Sequence, residues 1–161
     1  MPDIKNRLQH LRQTIDNLGA DAFYCELSDA HLSEYIQKAD QFLTYLTGFT
    51  GSNAQLAVTA DRALLWTDSR YWEQAQNQLK GTGIELMRQG EKDVATVSDW
   101  LKQNAQSRSF VIAAPLETLP LSGFQKIEKA VSKVVDFPEA LIAREWSNRP
   151  DRTVHSLYIH K

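Results

Sequence analysis

The sequence predicts an α/β fold in which a mixed β-sheet is flanked by helices. Two observations lead to this class. Strand and helix patterns alternate from about residue 54 to residue 146, which is typical of a sheet covered by helices. In addition, two consecutive strand patterns, 54–59 and 62–67, are separated only by Ala60 and Asp61, a connection of hairpin length. A hairpin pairs its strands antiparallel, so we expect a mixed sheet rather than a purely parallel one.

The chain before this hairpin is predicted to hold two helices and a strand. A first amphipathic helix is capped by Asp3 and stopped by Gly19, and its apolar stripe is Ile4, Leu8, Leu11, Ile15 and Leu18. The apolar run 22–27 is typical of a buried strand. Residues 28–38 are polar and predict a loop with a helical turn over 33–37. Asp40 is placed to cap a short helix that ends near Gly48.

After the hairpin, helices and strands follow each other at short intervals. Glycine and proline residues separate them, and the predicted elements are a helix over 69–79, a strand over 84–88, a helical stripe from Val94 to Ala105, a strand over 110–114, a helix over 121–131, a strand over 134–137 and a helix over 141–146. We assign residues 1–150 to one domain. Residues 151–161, with Val154, Leu157 and Ile159, are interpreted as a truncated linker or the first strand of a following domain.

Composition disfavours several classes of function. The chain has 18 Lys and Arg against 20 Asp and Glu, so it lacks the basic surface that nucleic acid requires. Its apolar runs are too short to cross a membrane, and its N-terminus lacks the apolar core of a secretory signal. The single cysteine, Cys25, lies in an apolar run, which predicts a buried, inert thiol. We therefore expect a cytoplasmic protein with neither nucleic acid nor membrane as a partner.

No motif predicts a metal site or a catalytic nucleophile within the chain. The four histidines, His10, His31, His155 and His160, do not show metal-ligand spacing, and nucleophile-elbow and phosphate-loop motifs are absent from the sequence. The glycine-rich run 48–53 fits either an anion-binding nest or a loop that needs the conformational freedom of glycine, and we favour the loop. The expected catalytic, metal and cofactor residues of this chain are therefore none.

Two polar segments remain as candidates for a binding site. Residues 66–75 mark a strand-to-helix junction, where ligands often bind in α/β proteins. At this junction Arg70 could pair with Asp68 or Glu73 as a structural ion pair, or its guanidinium could hold a substrate carboxylate or carbonyl. Residues 29–35 combine Asp, His, Ser, Glu and Tyr after a strand. Such crowding is a weak indication of a catalytic triad, but it suits a loop that contributes polar groups to the rim of a site.

Several motifs together resemble a known family. The run 45–52 (YLTGFTGS), followed by 63–75 (ALLWTDSRYWEQA), is similar to the N-terminal domain of the creatinase/prolidase/aminopeptidase P family. Residues 28–36 (SDAHLSEYI) resemble a segment of the three-domain Xaa-Pro aminopeptidases. Residues 146–150 (WSNRP) resemble the element that closes their first domain. The resemblance extends from the first helix to Pro150 and implies the creatinase N-terminal fold, with its ribonuclease H-like motif.

The resemblance also implies a role for the protein to which such a domain belongs. These enzymes remove an N-terminal residue that precedes proline, using two divalent ions, commonly manganese, in a C-terminal domain. The N-terminal domain borders the active site and supports subunit association as a homodimer. By this resemblance, Arg70, His31, Tyr71 and Trp72 are candidates for contact with peptide substrate or with the catalytic domain. The alternatives are the N-terminal domain of a creatinase or prolidase, and a non-enzymatic interaction module.

Overall fold

A computed structural model describes residues 3–106 and 108–154. Its six strands are β1 (Ala22–Glu26), β2 (Gln55–Thr59), β3 (Ala63–Thr67), β4 (Glu85–Arg88), β5 (Val111–Ala114) and β6 (Lys133–Asp136). They form one sheet in the order β4-β3-β2-β1-β5-β6. The β2–β3 hairpin is antiparallel, β1 pairs antiparallel with β2, and the three other pairings are parallel. The predicted mixed sheet is confirmed.

The direction of the strands determines where loops can meet. All strands except β2 run the same way, so the ends of β1, β3, β4, β5 and β6 lie on one side of the sheet, together with the start of β2. We call this side the carboxyl edge. Ligand sites in open α/β sheets usually lie beyond the carboxyl ends of the strands. Both candidate segments from the sequence, 29–35 and 66–75, follow strands at this edge.

Helices cover both faces of the sheet, as predicted. They are α1 (Ile4–Asn17), α2 (Phe42–Thr47), α3 (Trp72–Gln78), α4 (Val97–Ala105), α5 (Leu121–Glu128) and α6 (Glu139–Glu145). Because successive strand side chains point to opposite faces, Phe23 and Cys25 join a core with α1, α2, α3 and α6. Ala22 and Tyr24 join a second core with α4 and α5.

Local signals in α1 and β1 act as the sequence predicts. The Asp3 carboxylate caps α1 by accepting a hydrogen bond from the backbone N–H of Asn6 at 3.2 Å. Gly19, just past the end of the helix, has φ +65°, a conformation that favours glycine. Cys25 is buried, as predicted, and burial raises the pKa of its thiol.

Two local predictions are wrong. Residues 33–37 do not form a helical turn, and the first helical turn after β1 is the 3₁₀ turn over Lys38–Asp40. Asp40 does not cap α2, whose N-cap position is Gln41 without a capping side chain. The carboxylate of Asp40 instead accepts hydrogen bonds from Arg149 and Arg152. An ion pair with residues more than a hundred positions away cannot be detected from local spacing.

The tail after α6 is only partly described. Residues 151–154 have neither helix nor strand conformation. The remaining residues of the predicted strand, including Leu157 and Ile159 with His155 and His160, lie outside the described residues. The predicted domain boundary at residue 150 stays a prediction. Within the described residues, no helix combines the length and the apolar character needed to cross a membrane.

Candidate functional site

The junction between β3 and α3 is organised by Asp68. Strand β3 ends at Thr67, and Asp68 precedes a 3₁₀ turn over Ser69–Tyr71 that leads into α3. The Asp68 carboxylate caps this turn by accepting a hydrogen bond from the backbone N–H of Arg70 at 3.1 Å. The helix predicted over 69–79 is therefore present, with a tighter first turn. The cap fixes the backbone at the position where Arg70 projects.

The Arg70 guanidinium forms a two-point ion pair with Asp68. Nε donates to Oδ1 at 2.8 Å and Nη2 to Oδ2 at 2.9 Å. Hydrogen bonds from the Arg70 side chain, followed by one from Asn53, hold the pKa of Asp68 well below its usual range. The Arg70 side chain is still 67% exposed. Of the two predicted acidic partners, the structure places Asp68 and not Glu73 on the guanidinium.

Tyr71 and Trp72 follow Arg70 in the chain and are half-buried. The Tyr71 hydroxyl is 2.6 Å from Ser52 Oγ, and the Arg70 guanidinium carbon lies 5.2 Å from the Tyr71 ring centre. Trp72 Nε1 donates to the carbonyl oxygen of Thr67 at 3.0 Å. One side of the site is therefore a polar and aromatic surface in which both rings are held by hydrogen bonds.

The loop before β2 completes this surface. Asn53 Nδ2 donates to Asp68 Oδ2 at 2.6 Å, and the Thr67 hydroxyl donates to the Asn53 carbonyl oxygen at 2.6 Å. Gly51 packs so closely that an added Cβ would overlap the Phe49 ring and lie 2.9 Å from Tyr71 Cδ1. This glycine is thus required by close approach. Gly48 in the same run has φ +74°, which is the conformational freedom on which the loop interpretation of 48–53 depends.

Sequence reasoning missed Asn53 and Ser52 as members of the site. The signal was available in the predicted hairpin. Because β2 and β3 are antiparallel, Gln55 at the start of β2 pairs with Trp66 near the end of β3. Short polar side chains just before β2 must therefore lie beside those just after β3.

The loop after β1 has a different internal organisation. Asp29 is buried, and its Oδ1 accepts hydrogen bonds from the backbone N–H groups of His31 at 3.0 Å and Ser33 at 2.9 Å. Burial acts to raise the pKa of Asp29, but these hydrogen bonds outweigh burial and lower it. The Asp29 carboxylate thus holds its own loop, which does not support the weak triad interpretation. His31 is exposed.

Three of the four candidate residues lie in one short segment of the chain, and the structure brings Arg70 and Tyr71 into contact. Arg70, Tyr71 and Trp72 are contiguous, whereas His31 follows β1, which is separated from β3 by β2. Strands are about 4.8 Å apart, so the two loops leave the sheet roughly 10 Å from each other. An open cleft at this edge lies between the loop after β1 and the loop before β2, and its lining includes Leu27, Tyr35, Ile36, Thr50, Gly51 and Ser52. His31 lies on the same edge, but it does not line the cleft.

The described residues do not fit a metal centre. Within residues 3–106 and 108–154, no group of three or more His, Cys, Asp or Glu side chains could hold an ion. Two carboxylates at the edge are already engaged, since Asp68 is bound to Arg70 and Asn53, and Asp29 to its own loop. The site offers donors and aromatic surface rather than metal ligands.

Comparison with known families identifies this arrangement. The family model of the creatinase/prolidase N-terminal domain matches residues 7–144. The chain belongs to the creatinase/prolidase N-terminal domain family. This confirms the resemblance and the predicted fold. The junction of β3 and α3, with Arg70, Tyr71 and Trp72, is therefore part of a creatinase/prolidase N-terminal domain.

Relatives of this creatinase/prolidase domain are much longer proteins. Xaa-Pro aminopeptidase app-1 of Caenorhabditis elegans is 39% identical over 132 residues, which cover 80% of this chain and 21% of that protein. Xaa-Pro aminopeptidase ApepP of Drosophila melanogaster is 33% identical over 162 residues, covering 96% of this chain and 26% of that protein. The chain thus spans about a quarter of the length of these relatives.

Solved structures show the same relationship. An X-prolyl aminopeptidase from C. elegans, described as a cytosolic enzyme with a di-nuclear active site, superposes with a TM-score of 0.81 at 34% identity. The superposition covers 92% of this chain and 26% of that one. The N-terminal domain of the cytoplasmic peptidase PepQ from Mycobacterium tuberculosis H37Rv shares the fold, with a TM-score of 0.61 at 22% identity over 88% of this chain and 98% of that one.

Proposed function

We propose that this chain is the non-catalytic N-terminal domain of a metal-dependent Xaa-Pro aminopeptidase, which removes an N-terminal residue that precedes proline. Its similarity to Xaa-Pro aminopeptidases over 80% or more of its own length, and about a quarter of theirs, supports this proposal. The chain contributes a surface to the enzyme, and the bonds of the substrate are broken elsewhere.

The observation that carries the proposal is the arrangement around Arg70. A cation lies at the carboxyl edge of the sheet, exposed to solvent yet positioned by Asp68 and by the capped turn. Exchanging one of its hydrogen bonds from Asp68 to a peptide carbonyl or carboxylate would need little rearrangement, because the guanidinium has five N–H donors in a fixed plane. Arg70 is therefore suited to contact the peptide substrate or the catalytic domain at the border of the active site.

Tyr71, Trp72 and His31 extend this surface. The Tyr71 ring offers apolar area beside the Arg70 cation, and such pairs recur at recognition surfaces. Trp72 forms a similar pair with Arg88, whose guanidinium carbon lies 5.6 Å from the ring centre. His31 adds an exposed imidazole on the neighbouring loop. Together these residues would guide the substrate at the mouth of the active site.

The metals and the partner complete the proposal. We place two divalent ions, with manganese as the proposed metal, in the C-terminal catalytic domain, and the di-nuclear active site of the C. elegans X-prolyl aminopeptidase supports this proposal. Such a pair supplies Lewis-acid chemistry. The catalytic domain of the same protein is the main partner, and we propose a cytoplasmic homodimer.

Hydrolysis assays of the whole protein, including the sequence after Lys161, test the proposal. We expect cleavage of Xaa-Pro peptides but not of matched Xaa-Ala peptides, loss of activity with a chelator and recovery with manganese. This chain alone should be inactive under the same conditions. Metal-independent cleavage, or no cleavage of Xaa-Pro peptides, would refute the proposal. Activity restricted to creatine or to Xaa-Pro dipeptides would indicate a creatinase or a prolidase.

A further inference from the structure

We infer that the part of the same polypeptide that follows Lys161 packs against the loop of residues 28–37, which we call the docking loop. This inference rests on the proposed function, because it requires a domain after Lys161. It assigns to that domain a contact surface beyond Arg70, on the loop that also carries His31. Three independent features of the structure lead to it.

The first feature is exposed apolar area on an otherwise polar loop. Leu32 is 62% exposed and Tyr35 is 86% exposed. Aromatic residues that lie uncovered on a surface are typical of the centres of protein interfaces. Glu34, also exposed, lies between them in sequence. The docking loop therefore presents apolar side chains with an acidic group at their margin.

The second feature is that the loop is held in a fixed and costly shape. Leu32 has φ +53°, which is unusual and strained for a bulky residue. The Asp29 carboxylate stabilises this turn through the N–H groups on either side of Leu32. The ends are tied by Ser28 Oγ to the Thr118 carbonyl at 2.6 Å and by Gln41 Nε2 to the Ile36 carbonyl at 2.9 Å. An exposed leucine in a specified, strained conformation is better explained by contact with a partner than by the fold.

The third feature is where the chain leaves the domain. Arg152 Nη2 donates to Asp40 Oδ1 at 2.8 Å, and the backbone N–H of Thr153 donates to Gln37 Oε1 at 3.1 Å. Gln37 is the last residue of the docking loop. The last described residues therefore run beside the loop, and whatever follows begins within reach of it.

These anchors identify the occupant. A segment tethered at this point has a high effective concentration at the docking loop, whereas a second copy of the chain would have to compete with it. The relatives are about four times longer than this chain, so they contain ample sequence to cover the loop. The partner surface should be an apolar recess that takes Leu32 and Tyr35, with a basic or hydrogen-bond-donating rim opposite Glu34.

Photo-crosslinking in the whole protein tests the inference. Tyr35→p-benzoylphenylalanine places a reactive group on the docking loop, and Leu18→p-benzoylphenylalanine provides a control at the opposite edge, where Leu18 follows α1. After irradiation and proteolysis, mass spectrometry should detect a link within one molecule between residue 35 and a residue beyond Lys161. The control should lack this link. In addition, Leu32→Ser/Tyr35→Ser should lower the melting temperature of the whole protein more than Leu18→Ser does.

Other outcomes overturn the inference. Links from residue 35 to a second molecule would make the occupant another copy, and links only to residues 1–154 would mean that the docking loop is uncovered. The Xaa-Pro assay keeps the two proposals separate. If the protein cleaves Xaa-Pro peptides but the crosslink is absent, the proposed function is supported and the docking surface is refuted. If the crosslink forms but Xaa-Pro peptides are not cleaved, the docked domain is supported and the proposed function is refuted.

Discussion

Asp68 and Arg70, two residues apart, are joined by three hydrogen bonds at the end of the third strand. One comes from the Arg70 backbone N–H at 3.1 Å and two come from its guanidinium at 2.8 and 2.9 Å. The same carboxylate thus caps the turn and orients the cation. This relationship reconciles the two interpretations of Arg70 from sequence. The ion pair exists, and because it is exposed it leaves the arginine accessible to a further partner.

Removing the Asp68 side chain should destabilise the junction. Asp68→Ala loses the cap of the turn and the acceptor of the Asn53 amide, and loss of an N-cap typically costs about 1 kcal/mol. Thermal unfolding should show a melting temperature lower by roughly 2–4 °C for a chain of this size. Asp68→Asn is the matched control, because asparagine also caps helices. If both variants melt like the wild type, Asp68 does not organise the junction.

Stability should also depend on the charge of Asp68 at acid pH. The folded-state pKa of Asp68 lies below its unfolded value of about 3.9, because Arg70 and Asn53 donate hydrogen bonds to it. The stabilisation is therefore complete above about pH 4 and is lost as the pH falls towards the lowered folded-state pKa. Urea unfolding between neutral and acid pH should show a shallower loss for Asp68→Asn than for the wild type. Asp16→Asn, on the exposed side of α1, controls for a general charge effect, and equal slopes in all three proteins would contradict the prediction.

Gly51 should not tolerate a side chain. A Cβ at this position would overlap Phe49 and approach Tyr71 Cδ1 to 2.9 Å, and overpacking of this kind costs about 1–3 kcal/mol. Gly51→Ala should therefore lower the melting temperature by several degrees and displace Tyr71. Ser52→Ala, which removes the hydrogen bond to the Tyr71 hydroxyl without adding atoms, should have a smaller effect. The prediction is wrong if Gly51→Ala lowers the melting temperature less than Ser52→Ala does.

Arg149 and Arg152 both bind Asp40, but they should differ in how much each contributes to stability. Arg149 is 17% exposed and binds Asp40, Glu139 and the Ala39 carbonyl, whereas Arg152 binds the same Asp40 from an exposed position. Arg149→Ala should destabilise the chain by roughly 2–4 kcal/mol, since it breaks a mostly buried pair. Arg152→Ala should cost at most about 1 kcal/mol. Urea unfolding of the two variants measures the difference, and equal losses would show that Arg149 is not the centre of the network.

Most of the architecture could be predicted because its signals are local. The α1 stripe, the Asp3 cap and the two-residue hairpin connection each depend on residues close in sequence. The hairpin was especially informative, since its antiparallel pairing favoured a mixed sheet over a purely parallel one. The turn over Lys38–Asp40 could not be predicted, because Asp40 is satisfied by Arg149 and Arg152 from the other end of the chain. The sequence pattern predicted a helical turn over 33–37. In the structure the Asp29 side chain instead stabilises a turn over residues 29–33.

The candidate site was predicted in part for the same reason. Arg70, Tyr71 and Trp72 are adjacent in sequence, so their grouping needed no tertiary information. The choice between Asp68 and Glu73 as the partner of Arg70 depended on the 3₁₀ turn, which spacing does not specify. Asn53 enters the site only through the register of β2 against β3. The role of His31 stays a prediction.

The central claim is that Arg70 acts on chemistry housed in the rest of the protein. The most direct test is kcat/KM of the whole protein on an Xaa-Pro peptide, measured for the wild type, Arg70→Ala and Arg62→Ala. Arg62 forms an exposed ion pair with Glu85 at the start of β4, on the opposite edge of the sheet, and serves as the matched control. We expect Arg70→Ala to fold and to lose little stability, because its ion pair is exposed. It should nevertheless lower kcat/KM roughly 10- to 100-fold, as loss of a charge-assisted contact would. Arg62→Ala should retain activity. A wild-type kcat/KM for Arg70→Ala, or a fall fully explained by a lower melting temperature, would contradict the claim.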